Sequence, residues 1–390
     1  PGVLRKVSRL LLVALCLGSF TVSQAFAEHF LVIRRKPSAA SSAAAPTTTA
    51  LAASVRRSTS IAQVQAYRKE YTDSLEEQTA GLAAIVEASQ KVLEKGASQH
   101  ALRTTEAIEI EASSIDTVKA AYPDTEWDIV KGQNFTLDDV EVIPVSDRPL
   151  GSASLSSVDG KSLPWGVVRV KAPDVWKRFK TRGKGIVVAV IDTGVDSTHS
   201  EFSNRIKRGR SFVTSESTTE DLNGHGTHVA GTVGGKSFGV APEVTIMPIK
   251  VLDRRGSGNE TSVISAIDYA ITQNVDVINL SLRTPFRSNI NGAGSKLGQL
   301  YTTVLDKARN AGIVVVAAAG NDGEFETIGL PGRRGGVVTV AALTKQDRRA
   351  SFSQRGSSSP TPNPAKPDVG APGVDILSAR PSGSGKSPTD

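Results

Sequence analysis

Residues 185–196 read "GIVVAVIDTGVD", in which a run of glycine and apolar residues ends at the acidic Asp192. A continuous apolar run of this length is typical of a parallel β-strand that is buried on both faces. Four further runs of this kind follow, at 244–252, 275–282, 312–320 and 337–343. Helical patterns separate them, at 226–234, 262–273 and 297–312. The alternation predicts an α/β fold with a mostly parallel central sheet flanked by helices.

The N-terminus has the order of a secretory signal peptide. Three basic residues precede the apolar run "LLLVALCLGSF" (10–20), and small residues follow at Ala25 and Ala27. The run is shorter than the ~20 residues that a membrane span requires. Residues 1–27 are therefore predicted to be a cleaved signal peptide, and the mature protein is expected to be secreted and free of the membrane.

The rest of the chain divides by composition. Residues 28–60 are predicted to be a low-complexity linker, because Ala, Ser, Thr and Pro dominate most of it. Residues 61–150 are predicted to form a small α+β unit, 151–162 a polar processing linker, and 163–390 the α/β domain. The elements expected in the small unit are helix within 61–97, a strand at 106–112, a helix at 114–122 capped by Ser114, and a strand at 127–133.

Charge and cysteine usage narrow the possible functions. Residues 28–160 carry 13 basic and 19 acidic groups, whereas 161–390 carry 30 basic and 20 acidic groups. These opposite net charges suggest that the two units bind each other. The basic residues are scattered and not interleaved with aromatic ones, which argues against nucleic acid as a partner. Cys16, the only cysteine, lies in the predicted signal peptide, so no disulfide or thiolate site is expected.

Polar residues stand where the predicted strands end, which is the edge at which α/β sheets place functional groups. Asp192 follows the first run, Asn321 follows the fourth, and "NGHGTHVAGT" (223–232) places His225 near a helix start. Alone, the first two could be a helix cap and a turn, and His225 with His228 could bind a metal. A zinc site would need a third protein ligand, and the H-E-x-x-H pattern is absent.

Taken together and in this order, the segments resemble the subtilisin family of serine proteases, and the short loop after the histidine helix resembles its proteinase K-like branch. The segments that carry the resemblance are "VAVIDTGVDSTH" (188–199), "NGHGTHVAGTV" (223–233), "VINLSL" (277–282), "VVVAAAGNDG" (314–323), "ASFSQRG" (350–356) and "APGVDILSA" (371–379). The resemblance implies a subtilisin-like fold preceded by a pro-domain that assists folding, blocks the cleft and is removed between about 146 and 162.

The resemblance also implies roles for single residues. Asp192 would orient and stabilise His225, which would act as general base for a nucleophilic serine, and the Asn321 amide would stabilise the oxyanion. His228 is expected to be structural. The substrate-binding residues implied are Ser281, Leu282, Arg283, Ala318, Ala319 and Gly320. Arg283 replaces the glycine usual in the family, so it would crowd or charge the cleft.

Two further features depart from the family. The G-T-S-M-A motif of the nucleophile is absent, since "APGVDILSA" is followed by "RPSGSGKSPTD" (380–390). We therefore expect a C-terminally truncated precursor whose serine lies outside this chain, so that the 390-residue chain is inactive. A structural calcium is implied near the Val337 carbonyl and Asp368, although calcium takes at least six oxygens and only two are identified. Catalysis itself is expected to need no cofactor.

The sequence thus predicts the precursor of a secreted, monomeric serine endopeptidase that acts on proteins or peptides and binds its own pro-domain. The alternative is a catalytically inactive homologue that serves as a binding or regulatory module. The coding sequence beyond Asp390 would distinguish them. A nucleotide-binding α/β protein is disfavoured, because no G-x-G-x-x-G turn follows the first predicted strand.

Overall fold

A computed structural model describes residues 28–34, 61–136, 155–158, 161–283, 296–323, 328–356 and 366–381, except for 91, 94–96, 104, 106 and 123–126. The predicted signal peptide and residues 35–60 lie outside the described residues. No helix in the described part of the chain combines the length and apolar character needed to cross a bilayer.

The N-terminal unit is the α+β unit that the sequence predicted. Its elements are β1 (Glu28–Arg34), α1 (Ile61–Thr79), α2 (Gly81–Ser89), β2 (Ser98–Ala101), β3 (Ala107–Ala112), α3 (Ile115–Ala121), β4 (Trp127–Lys131) and β5 (Asn134–Thr136). Four strands form an antiparallel sheet in the order β2-β3-β1-β4. The expected cap of α3 is present, since the Ser114 hydroxyl accepts a hydrogen bond from the Thr117 N–H at 3.4 Å.

The prediction of a linker is wrong for residues 28–34. Residues 28–34 form β1, which pairs with β3 on one side and β4 on the other and so lies inside the sheet. Phe30, Leu31 and Val32 are fully buried. Phe30 and Val32 face α2 and α3, and Leu31 faces the second unit. The apolar run at 30–33 therefore specifies a buried strand despite the low-complexity sequence that follows it.

The second unit has the predicted parallel architecture. Its elements are β6 (Leu155–Val158), β7 (Lys161–Pro164), α4 (Trp165–Arg169), α5 (Ala172–Phe179), β8 (Val187–Asp192), β9 (Arg210–Ser211), α6 (His225–Gly234), β10 (Thr245–Lys250), β11 (Ser257–Asn259), α7 (Glu260–Thr272), β12 (Val277–Leu280), α8 (Lys296–Asn310), β13 (Val314–Ala318), β14 (Val338–Leu343) and β15 (Val369–Pro372). Seven strands form one parallel sheet in the order β15-β14-β13-β12-β8-β10-β9.

Some short strands differ from the sequence prediction. The predicted processing linker contains β6 and part of β7, which pair as an antiparallel hairpin. The short strands β9 and β15 were not predicted, because two and four residues carry too little pattern. The five long apolar runs correspond to β8, β10, β12, β13 and β14.

Helices pack on both faces of this sheet around β8 and β10, which are buried along almost their whole length. One face packs on α7 and α8, with Ile264 and Tyr301 fully buried. The other face packs on α6 around Ala230, against Val188 and Val190 of β8. Asp192, at the end of β8, therefore emerges beside the start of α6.

The two units share one hydrophobic core. The small sheet and α1 lie on α7 and α8, so Leu31, Tyr67 and Phe135 belong to the same buried cluster as Ile264 and Tyr301. At the edge of this contact, β5 pairs antiparallel with β11. The chain thus buries the sheet of the N-terminal unit on the helical layer of the second.

A buried ion pair also joins the two units. The Arg68 guanidinium lies 2.7 Å from Asp276 Oδ1, and the side chains are 1% and 9% exposed. Its charges run opposite to the net charges of the two units. The opposite net charges of the two units therefore do not account for this contact.

Candidate active site

Asp192 is the last residue of β8 and is fully buried. Its Oδ1 accepts hydrogen bonds from the Thr193 N–H at 2.7 Å and from the His225 Nδ1–H at 2.7 Å. Its Oδ2 is buried and has no hydrogen-bond donor among the described residues. The carboxylate is thus fixed by β8, and the histidine ring is its one side-chain partner in the described structure.

His225 is the first residue of α6. Gly224 precedes it with φ of 115°, a left-handed conformation that glycine adopts without strain. A side chain on Gly226 would collide with the Gly194 carbonyl, so the helix start can approach the loop after Asp192 only with glycine here. These two glycines allow the imidazole to reach the end of β8.

The hydrogen bond to Asp192 fixes the tautomer of His225, because Nδ1 carries the proton and Nε2 is left as an acceptor. Burial disfavours the charged ring, but the Asp192 carboxylate and its hydrogen bond outweigh burial and raise the pKa of His225. A neutral histidine of this kind can accept a proton at Nε2 and is stabilised once it has done so.

Asp221 organises the start of α6, a role that sequence reasoning missed. Its Oδ1 accepts from the Gly224 N–H at 2.8 Å and from the Thr193 hydroxyl at 2.9 Å. Its Oδ2 accepts from the Thr227 N–H at 2.8 Å and from the Thr227 hydroxyl at 2.6 Å. An aspartate four residues before a helix start could have signalled a cap, but its bond to Thr193 depends on the tertiary fold.

Lys250 holds the loop after Asp192 by a hydrogen bond, and sequence reasoning also missed this role. It lies beside Asp192 in the β8–β10 register, and its fully buried ammonium donates to the Thr193 carbonyl. Glu216 balances this charge, with Oε2 2.9 Å from the ammonium. A lysine in the run "VTIMPIKVL" is unusual for a buried strand, which is the signal that sequence reasoning could have used.

Asn321 lies at the same edge of the sheet as Asp192. It follows β13, and β12 lies between β13 and β8, so the two strand ends are about 10 Å apart. The loop that carries Asn321 is fixed by backbone bonds, from the Gln354 N–H to the Gly320 carbonyl and from the Gly323 N–H to the Phe352 carbonyl. Asn321 and Asp192 therefore stand at the ends of parallel strands that one strand separates.

The predicted substrate-binding residues form two segments at this edge, at the carboxyl ends of the neighbouring strands β12 and β13. Ser281, Leu282 and Arg283 follow β12, and Ala318, Ala319 and Gly320 end β13 and continue it. Leu282 and Ala319 are buried. The Arg283 side chain crosses from one segment to the other, where its Cδ lies 2.6 Å from the position a Cβ on Gly320 would take.

His228 does not take part in the pair. The Nε2–H of His228 donates to the Ile376 carbonyl at 3.0 Å, and the Ser378 hydroxyl donates to the backbone carbonyl of His228 at 2.6 Å. Burial lowers the pKa of His228, so its ring is neutral at physiological pH. These bonds tie α6 to the segment 376–379.

Val337 and Asp368, where calcium was predicted, do not fit a calcium ion. The Lys366 ammonium donates to the Val337 carbonyl and lies 2.5 Å from Asp368 Oδ2. An attached cation thus occupies the position between the two oxygens that the metal would need. Elsewhere in the described residues, no three His, Cys, Asp or Glu side chains are grouped to bind a metal.

Comparison with known proteins agrees with this architecture. The model of the subtilase family matches residues 183–389. Subtilisin E of Bacillus subtilis (strain 168) is 40% identical over 232 residues, which are 57% of this chain and 55% of the relative. A subtilisin of Bacillus pumilus is 40% identical over 232 residues, which are 57% of this chain and 77% of the relative.

An extracellular serine proteinase of Thermus sp. (strain Rt41A) is 38% identical over 243 residues, which are 62% of this chain and 53% of the relative. The chain thus spans about half the length of this proteinase and of Subtilisin E. In all three relatives, the match covers more than half of the chain.

Proposed function

Because the chain belongs to the subtilase family, we propose that the complete protein is a secreted serine endopeptidase that uses Asp192 and His225 as two members of its catalytic triad. The observation that carries the proposal is the 2.7 Å contact between His225 Nδ1 and Asp192 Oδ1 at the carboxyl edge of the parallel sheet. The substrates are proteins or peptides, and catalysis needs no cofactor.

The proposed chemistry uses three side chains at the carboxyl edge of the parallel sheet. His225 Nε2 removes the proton of the attacking serine hydroxyl and then delivers it to the leaving amine. Asp192 holds the ring in the required tautomer and stabilises the imidazolium by its negative charge. The Asn321 side-chain amide donates to the oxyanion of the tetrahedral intermediate, whose charge develops on the former carbonyl oxygen.

The proposed triad also needs a nucleophilic serine, and we assign none among the described residues. Among the described residues, no serine hydroxyl forms a hydrogen bond with the His225 ring. The segment 376–381 passes close to α6, because Ser378 and Ile376 bond to His228.

We further propose that residues 28–150 are a pro-domain of a secreted precursor. The ion pair of Arg68 with Asp276, the β5–β11 pairing and the shared core support its docking on α7 and α8. Cleavage by the enzyme itself would fall between about 146 and 162, a segment that contains the hairpin strand β6.

The test uses protein expressed from the complete coding sequence and labelled with a fluorophosphonate that reacts with activated serines. We expect labelling of the wild type and none of His225→Ala. His228→Gln is the matched control, since its amide can still donate to the Ile376 carbonyl, and it should label like the wild type. Equal labelling of His225→Ala would refute the assigned base.

The pH dependence of labelling tests the partner of the histidine. The labelling rate should rise with pH as His225 loses its proton. Asp192→Asn should lower this rate, and it should also shift the midpoint of the pH profile to lower pH, because Asp192 raises the pKa of His225. If the wild type fails to label, the alternative is favoured, namely an inactive homologue that acts as a binding or regulatory module.

A further inference from the structure

We propose that Arg283 fills the pocket for the substrate side chain preceding the scissile bond (P1), so that the enzyme prefers small P1 residues such as alanine to aromatic ones. The inference rests on the proposed function and concerns its substrate class. It starts from a residue that departs from the family pattern in "VINLSLR", together with the contacts the structure gives it.

The first observation is where the side chain lies. Arg283 follows β12, yet its Cδ lies 2.6 Å from the position of a Cβ on Gly320, beyond β13. The Gln354 carboxamide contacts the same position even more closely. Two side chains therefore cover Gly320, the residue that precedes Asn321 and that the family resemblance implies for substrate binding. A substrate side chain cannot occupy the same volume.

The second observation is that Arg283 is held in place. Its Nη2 donates to Asp322 Oδ1 at 2.5 Å, and the Gln354 Nε2–H donates to Asp322 Oδ2 at 2.9 Å. Each oxygen of the carboxylate thus has a separate donor. The Arg283 side chain is 5% exposed, and Gln354 is fully buried. The Asp322 carboxylate thus holds the buried Arg283 and Gln354 side chains together across the proposed pocket.

This arrangement favours exclusion over charge recognition. A large P1 side chain would have to displace Arg283 and leave the partly buried Asp322 without its cation, which is unfavourable. A methyl or hydroxymethyl group requires no such displacement. An acidic P1 residue finds the guanidinium already neutralised by Asp322, so the positive charge of Arg283 is not offered to the substrate.

The experiment compares peptide p-nitroanilides that differ only in P1, with alanine, phenylalanine or glutamate, as substrates of the complete enzyme. We expect the wild type to have a higher kcat/KM for alanine than for phenylalanine. Arg283→Gly should raise the phenylalanine-to-alanine ratio of kcat/KM by about tenfold or more, the scale on which apolar pockets discriminate. The ratio does not depend on how much of the variant folds.

Two variants separate the possible causes. Arg283→Met keeps most of the bulk without the charge, so its ratio should stay nearer to the wild type than to Arg283→Gly. Arg208→Gly is the control for loss of an arginine, because Arg208 is exposed and lies beside β9 at the far edge of the sheet. It should leave the ratio unchanged.

The outcomes are distinguishable. A wild type that prefers phenylalanine, or a ratio that Arg283→Gly does not change, overturns the inference and leaves the protease activity standing. A preference for glutamate that Arg283→Gly abolishes overturns it in favour of charge recognition. If no peptide is cleaved and no fluorophosphonate label is incorporated, the proposed function fails, and this inference fails with it.

Discussion

Replacing Lys366 with methionine would remove a buried cation and keep a side chain of similar length. The Lys366 side chain is 6% exposed, and its ammonium binds the Val337 carbonyl and Asp368 Oδ2. The variant leaves both oxygens without this partner. Asp368 keeps the hydrogen bond from the Thr339 N–H at 2.7 Å and is 35% exposed, so water can solvate part of its charge.

These contacts bound the loss of stability. Breaking a fully buried ion pair costs about 3–5 kcal/mol, and an exposed pair contributes about 0–1 kcal/mol. Since Lys366 is buried and Asp368 only partly, we expect the free energy of unfolding to fall by about 2 kcal/mol at neutral pH. For a domain of this size, that corresponds to a lower Tm by roughly 4–8 °C.

The loss should depend on pH in a defined direction. Burial alone would raise the pKa of Asp368, but the Lys366 ammonium and the Thr339 N–H outweigh it and lower the pKa. A carboxylate with a depressed folded pKa contributes stability above its unfolded pKa of about 4, and this contribution is lost as the pH falls through the folded value. The difference between wild type and Lys366→Met should therefore shrink in acid.

Urea unfolding at about pH 7 and about pH 3.5 measures both effects, with Lys184→Met as control because Lys184 is exposed. A Lys366→Met protein as stable as the wild type, or a loss that is equal at both pH values, would contradict the assignment. So would a stabilisation of the wild type by added calcium that Asp368→Asn abolishes, since calcium would then bind where the ammonium is placed.

Two other substitutions test the supports of the fold and the site. Arg68→Met leaves Asp276 buried without its cation, so it should destabilise the chain by about 3–5 kcal/mol in urea unfolding; a change below 1 kcal/mol would contradict the buried pair. Asp221→Ala removes the acceptor that fixes the loop before His225, so kcat/KM of the complete enzyme should fall by about 10- to 100-fold. Asp221→Asn keeps one oxygen and should lose less; equal activity of Asp221→Ala and wild type would refute its positioning role.

The sequence predicted the parallel sheet well because the pattern of that sheet is local. Each long apolar run contains a strand, and Asp192 and Asn321 follow such runs directly. β1 was missed for a related reason. Its four apolar residues are as informative as the other runs, but the Ala/Ser/Thr sequence after them suggested a linker, and only the pairing with β3 and β4 identifies the strand.

The partners of buried charges could not be predicted in the same way. Lys366 reaches the carbonyl of Val337, which lies 29 residues earlier, and Gln354 reaches Asp322, which lies 32 residues earlier. Sequence spacing contains no information on such contacts, because loops and strands of unrelated length separate the partners. The calcium prediction was made without such information: the sequence identifies the two oxygens of Val337 and Asp368 but not the lysine that lies between them.

Two buried lysines in the described structure make the same set of contacts, and these contacts affect how stability depends on pH. Lys250 and Lys366 each donate to a backbone carbonyl and pair with a carboxylate, Glu216 and Asp368 respectively. Burial would raise the pKa of both carboxylates, but their lysine partners outweigh it and lower the pKa. A cation attached to the chain cannot dissociate on dilution. The strength of both contacts depends on ionised carboxylates, so acid should loosen the loops after Asp192 and beside β14.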